Sequence, residues 1–186
     1  MNPIKNKKNL EATIDVIRNF AYSYLEKYNP SKQQLRIHLF KKIIKKGQKI
    51  SSKKEIFNLI DSVISSLADQ KLVSDEYYSD SKSKAFLRKG YSLNKIRYSL
   101  IKKGIDEKYI KASISKIKEN ESDPDFFSAI KICKKRRIGP CREENNRPLF
   151  YKKDISILAR SGFSYEISKK VLEIPKNEFK KFCTMI

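Results

Sequence analysis

The side chains with the most evident chemical reach in this sequence are cations. Arg88, Lys89, Tyr91, Lys95, Arg97, Lys102 and Lys103 set six positive charges and the Tyr91 ring around one helix–turn–helix. Such a mixture tracks a phosphate backbone and can stack on a base. The same pattern suits a solvated helix face, and both readings stand at this stage. Arg97 also repeats Arg36, so a guanidinium that bridges helices within a repeated unit is a further reading of it. Lys134, Lys135, Arg136 and Arg137 form the densest run. They fall at a helix end, where cations are electrostatically welcome whatever the function, so a phosphate contact and a plain C-terminal charge cluster fit equally. Lys152, Lys153 and Arg160 carry the same two readings.

Other chemistries find little support. Cys133, Cys141 and Cys183 form an odd set without CxxC spacing, which predicts unpaired thiols in a reduced, cytoplasmic setting. His38 is the single histidine and lies between Ile37 and Leu39, with no nucleophile or carboxylate at a useful spacing. Acidic residues fall singly at helix starts, where capping explains them. Five glycines form no phosphate-cradling loop. No catalytic residue, metal ligand or cofactor is expected, and the chain does not read as an enzyme.

Over 186 residues, 42 basic side chains against 21 acidic ones give a net charge of +21. A chain this basic expects a polyanion or an acidic protein surface as partner. Part of the charge is compositional habit: 33 of the 42 cations are Lys, in a chain also rich in Ile, Asn, Ser and Tyr. The basic N-terminus lacks the apolar core of a signal peptide, and no apolar run reaches the roughly 18 residues of a membrane span. No membrane partner is expected, and the chain is taken as a monomer.

The elements that must position the cations are helices. Apolar residues recur at helical spacing, as in Leu10, Ile14, Ile17, Ala21, Tyr24, Tyr28 and in Ile56, Leu59, Ile60, Val63, Ile64, Leu67, and no sustained strand alternation occurs. Ser31, Ser52, Ser74, Ser92, Asp106, Asp123 and Ser164 are placed as N-caps; Gly47, Gly90, Gly104 and Gly162 follow basic helix ends as left-handed caps. Helices are predicted over 9–28, 31–46, 53–71, 75–88, 92–103, 106–119, 124–137, 150–161 and 164–173, with a short tail helix near 176–184. Phe86, Phe126 and Phe127 are expected in the core.

The sequence also repeats itself. Ser31-x-x-x-Leu35-Arg36-x-x-Leu39-Phe40-Lys41-Lys42 matches Ser92-x-x-x-Ile96-Arg97-x-x-Leu100-Ile101-Lys102-Lys103. Leu100-x-x-x-Gly104-Ile105-Asp106, with Ile114 further on, matches Leu158-x-x-x-Gly162-Phe163-Ser164 and Leu172. A period near 60 holding three helices predicts an all-α protein of three tandem three-helix repeats, 1–73, 74–120 and 121–186, stacked as an elongated, curved array. The three units carry +9, +6 and +6, so the positive field belongs to no single tail. A polar loop bracketed by Pro140 and Pro148 interrupts the third unit.

Leu72-Val73-Ser74-Asp75-Glu76-Tyr77-Tyr78, then Arg88-Lys89-Gly90, then Ile96-Arg97-x-x-Leu100-x-x-Lys103-Gly104-Ile105-Asp106-x-x-x-Ile110 resembles the central signature of the RecX regulatory proteins. Tyr151-Lys152-Lys153-Asp154-Ile155-Ser156-Ile157-Leu158-Ala159-Arg160-Ser161-Gly162-Phe163-Ser164 resembles their C-terminal repeat. The resemblance covers about residues 10 to 175. It implies a protein of three tandem three-helix repeats that binds the groove of the RecA recombinase filament on single-stranded DNA and lowers its ATPase, strand-exchange and coprotease activities. Single-stranded DNA, and double-stranded DNA as an accessory ligand, are the nucleic-acid partners this implies. The charge alone supports a second reading, a sequence-independent DNA-binding or architectural protein. A helical scaffold for acidic proteins is a third.

Overall fold

The computed structural model describes residues 13–46 and 52–186, and all regular structure among them is helical. The chain divides into two compact units between Tyr78 and Ser79.

The first unit holds α1 (Ile14–Leu25), α2 (Lys32–Lys45), α3 (Lys53–Asp69) and the start of α4 (Asp75–Arg88). Its core is the set that helical spacing selects: Ile17 and Ala21 from α1, Leu35, Leu39 and Ile43 from α2, and Ile56, Ile60, Val63, Ile64 and Leu67 from α3. Complete burial of an Ile or Leu stabilises by roughly 1.5–3 kcal/mol, so these stripes hold the three helices together. Ser31 starts α2 with a full capping box: its Oγ accepts from the Gln34 N–H while the Gln34 side chain accepts from the Ser31 N–H. Arg36 then reaches from α2 to α3, where its Nε and Nη2 donate to the two oxygens of Asp61 at 2.6 and 2.7 Å.

The second unit continues α4 and adds α5 (Leu93–Ile101), α6 (Glu107–Asn120), α7 (Pro124–Arg136), α8 (Arg147–Arg160), α9 (Tyr165–Leu172) and α10 (Lys176–Thr184). Small side chains let α4 and α6 meet closely. The Ser79 hydroxyl donates to the Tyr109 carbonyl at 3.2 Å, and the Ser113 hydroxyl lies 2.8 Å from that of Ser79 and 2.5 Å from an oxygen of Asp80. A second core gathers Phe126, Ile130 and Cys133 of α7, Leu158 of α8, Val171 and Leu172 of α9, and Phe179 of α10.

The two matched sequence segments fold alike residue by residue. Ser31 and Ser92 both cap, Leu35 and Ile96 are both fully buried, and so are Leu39 and Leu100. Arg97 donates to Glu107 at 2.9 Å and joins α5 to α6, as Arg36 joins α2 to α3. At the other match, Gly104 and Gly162 take φ of 74° and 87°, and the next residue, Ile105 or Phe163, donates back to Leu100 or Leu158. All seven expected N-caps accept from a backbone N–H of the first turn. Gly47 and the stretch 9–12 of the first predicted helix lie outside the described residues.

Two differences have local causes. α8 begins at Arg147, three residues before its predicted start, because Pro148 falls in the first helical turn, where its missing N–H costs nothing. The segment ahead of it is ordered: two short 3₁₀ turns, Gly139–Cys141 and Glu144–Asn146, lead into the helix. The Arg147 Nη2 locks the entry by donating to the Leu172 and Ile174 carbonyls at 2.5 and 2.8 Å. Of the expected core aromatics, Phe126 is buried, whereas Phe86 and Phe127 are half-buried.

Candidate nucleic-acid interface

The outward face of α5 brings several of the sequence-selected cations together. Ile96 and Leu100 turn inward, which leaves Asn94, Lys95, Tyr98, Ser99 and Lys102 on the opposite side. The N-terminus of α5 is fixed by two contacts. The Leu93 N–H donates to Asp125 at 2.7 Å, and the Ser92 hydroxyl donates to the Ser161 carbonyl at 3.0 Å while accepting from the Lys95 N–H at 3.1 Å. The turn after α8 therefore lies against α5, and it approaches so closely that a Cβ on Gly162 would collide with Ser92 Oγ.

This contact forms a concavity of about 240 Å³ lined by Lys95, Lys102 and Arg160, together with Asn94, Tyr98, Ser99 and Gly162. Among the described residues no carboxylate lines it. Tyr98 is 60% exposed and stands between the two lysines along the helix. Three cations, an amide, a hydroxyl and an open aromatic ring in one groove can hold successive phosphates and offer a stacking face. Tyr98 was missed in the sequence although it lies on the same stripe, three residues from Lys95 and four from Lys102; only its place opposite Ile96 and Leu100 reveals it.

The remaining candidates are dispersed. Arg97 is engaged with Glu107. Tyr91 stacks on Phe86 at a centroid distance of 5.1 Å, and the Lys95 ammonium sits 4.5 Å from the Tyr91 centroid. Arg88, with Lys84, Lys116 and Lys131, borders a separate concavity of about 490 Å³ that also holds Asp80 and Glu121, so its charge is mixed. Lys89, Lys103, Lys152 and Lys153 are exposed. Lys134, Lys135, Arg136 and Arg137 are exposed at the end of α7; the Lys134 ammonium donates to the Cys183 carbonyl at 3.2 Å, and Arg137 closes the helix at φ 53°.

The three thiols are all free and belong to one core, with Cys141 and Cys183 packed against the buried cluster that contains Cys133. Burial pushes each thiol pKa up, Cys133 most of all, and keeps them protonated. His38 is held below its ordinary value by burial and then by the Lys42 charge. Among the described residues no group of three or more His, Cys, Asp or Glu could hold a metal ion, and no helix is long and apolar enough to cross a membrane.

The fold and groove define a protein that is all-helical over its described residues, with a matched pair of helix–turn segments and a cationic groove whose described lining holds no carboxylate. No family model matches the sequence. It is 28% identical over 164 residues to the regulatory protein RecX of Myxococcus xanthus, a match that covers 84% of each chain. It is 25% identical over 163 residues to the regulatory protein RecX of Clostridium perfringens, covering 87% of this chain and 70% of that one. The crystal structure of RecX from Lactobacillus salivarius superposes with a TM-score of 0.63 at 19% identity, over 90% of this chain and 97% of that one. A second crystal structure of a regulatory protein RecX gives the same TM-score at 20% identity, over 87% and 72%. The chain is thus similar in sequence to regulatory proteins named RecX and shares their all-helical fold.

Proposed function

We propose that this protein regulates the RecA recombinase by binding its filament on single-stranded DNA, and that occupation of the filament groove lowers ATP hydrolysis, strand exchange and coprotease activity. The observation that supports this best is the similarity to a RecX protein across 84% of both chains. The α5 groove supports the nucleic-acid part of the reading, since Lys95, Lys102 and Arg160 converge there without a carboxylate. In this reading the cytoplasmic protein acts as three successive units, 1–73, 74–120 and 121–186, each carrying net positive charge to a long polyanionic partner. Regulation then needs no chemistry of its own. The test is single-strand-dependent ATP hydrolysis by RecA with and without the purified protein. A fall in rate at stoichiometric amounts is expected, and an unchanged rate at low salt refutes the proposal.

The same groove also favours a second reading, direct binding of bare DNA. A salt titration separates the two. Phosphate binding falls steeply with salt, whereas a protein interface leaves a preference for the filament over naked DNA that persists at high salt.

A further inference from the structure

Unit 1 contains a concavity that the reading above does not use. It measures about 650 Å³ and is lined by Phe20, Ser23 and Tyr24, Lys27 and Tyr28 of α1 and the turn after it, and His38, Lys42 and Lys46 of α2 and its end. The volume falls within the roughly 300–1,000 Å³ of ligand sites. Its composition is selective: among the described residues it is lined by three lysines, four aromatic or imidazole rings and no carboxylate.

The rings form a short ladder. His38 lies flat on Tyr24, with centroids 3.8 Å apart and planes 15° apart, and Tyr28 leans against Tyr24 at 4.8 Å with its plane tilted by 39°. Burial and the Lys42 charge keep His38 neutral near pH 7, so the ladder carries no charge of its own there. Tyr28 is its open end and is 58% exposed. A flat heteroaromatic ring extends such a ladder by stacking, and every base has the face to do so. Lys27 and Lys42 flank the rings as point charges suited to phosphate. An acidic peptide would satisfy the lysines but leave the ladder's end uncovered.

We infer that this concavity binds an unpaired nucleotide of a single-stranded nucleic acid, its base stacked on the Tyr24–Tyr28 ladder and its flanking phosphates held by Lys27, Lys42 and Lys46. The inference takes the strand as ligand source from the proposed function, whereas the stacking chemistry stands on the ladder itself.

The chain contains no Trp, which allows a clean reporter. In the full chain Tyr28→Trp places one indole at the ladder's end, and Tyr98→Trp, in a separate variant, places one on α5. Twelve-residue oligo(dT) should quench Tyr28→Trp emission. An abasic strand of the same length, and dTMP at equal nucleotide concentration, should quench it far less. Adding Lys27→Glu and Lys42→Glu to the reporter should weaken the oligo(dT) titration about tenfold or more, with the helical circular dichroism unchanged.

Quenching of Tyr98→Trp but not Tyr28→Trp overturns this inference and leaves the nucleic-acid reading of α5 intact. Equal quenching of Tyr28→Trp by the abasic strand overturns base stacking, and equal quenching by dTMP overturns the strand as source. Quenching of Tyr28→Trp alone supports the inference and counts against the α5 groove; silence of both reporters refutes both.

Discussion

The carboxylate of Asp154 is the side chain whose loss should cost this fold most. It sits in the interior of α8 with 2% of its side chain exposed, and three donors converge on it. The Gly139 N–H donates to Oδ2 at 2.9 Å, Arg142 Nε to the same oxygen at 2.8 Å, and Arg142 Nη2 to Oδ1 at 2.8 Å. Gly139 is buried at φ 55°, and a Cβ there would strike the Leu172 side chain, so the turn this carboxylate holds is also wedged against α9. The Arg142 guanidinium lies 4.5 Å from the Phe150 ring centroid and is 21% exposed.

Asp154→Ala removes both acceptor oxygens and strands all three donors at once. Breaking a buried ion pair by deleting one partner costs about 3–5 kcal/mol. Arg142 keeps some access to water, which pulls its share toward the low end. The buried Gly139 N–H does not, and an orphaned buried donor costs about 1–3 kcal/mol. A total of about 3–5 kcal/mol follows, and at roughly 2–4 °C per kcal/mol for a chain of this size the melting temperature should drop by about 6–20 °C. Arg142→Ala should cost nearly as much, because it strands the carboxylate with one donor. The double variant should then be less damaging than the sum by about 1–3 kcal/mol. Denaturant unfolding followed by circular dichroism gives the four corners of the cycle, and hydrogen exchange at the Gly139 amide reports the turn directly. An additive cycle, or an Asp154→Ala penalty below 1 kcal/mol, would refute the reasoning.

Gly162→Ala should destabilise by about 2–3 kcal/mol. Positive φ costs a Cβ-bearing residue about 1–2 kcal/mol, and the new methyl displaces the Ser92 hydroxyl from its two bonds. Gly104→Ala, at φ 74° but exposed, should cost only the backbone part, and equal denaturant penalties would contradict the packing argument. Asp80 is raised by burial, but its bonds from Lys116 and Ser113 outweigh this and leave its pKa below the ordinary 3.8. Its stabilising contribution is therefore complete above that value and is lost as pH falls through the lower folded pKa. Asp80→Asn should flatten the acid limb of a stability–pH profile below about pH 4 and leave the alkaline limb alone; an unchanged acid limb would count against the ion pair. Replacing Lys95, Lys102 and Arg160 together with Gln should lower the slope of log affinity against log salt for single-stranded DNA by about 2, read from fluorescence anisotropy, and an unchanged slope would remove the α5 groove from the interface.

Helix limits were legible in this sequence because short-range bonds write them. Five helices end with the same backbone bond, spanning Leu67 to Leu72, Phe86 to Tyr91, Leu100 to Ile105, Cys133 to Ile138 and Leu158 to Phe163. The left-handed residue in that motif is Gly90, Gly104 or Gly162 in three of them, and the sequence declared those three. In the other two it is Lys71 or Arg137, at φ 59° and 53°, residues that give no local sign of it. The stop therefore does not depend on glycine: the apolar residue that follows is buried at Ile105, Ile138 and Phe163, half-buried at Tyr91 and exposed only at Leu72.

Site residues obey longer rules. Asp154 looked like one more helical acid because its donors come from residues 12 and 15 positions upstream, on a different turn. The Tyr24–His38 stack needs α1 and α2 packed before either ring has a neighbour. Lys95, Lys102 and Arg160 were each selected on charge alone, yet what unites them is the serine–glycine contact of Ser92 and Gly162. A fold that fixes its helix ends locally leaves its outer faces open to change, so the charge could spread along the chain while, among the described residues, a few cations meet without a carboxylate between them. Under the proposed function those meeting points, more than the total of +21, are where the polyanionic partner would be recognised.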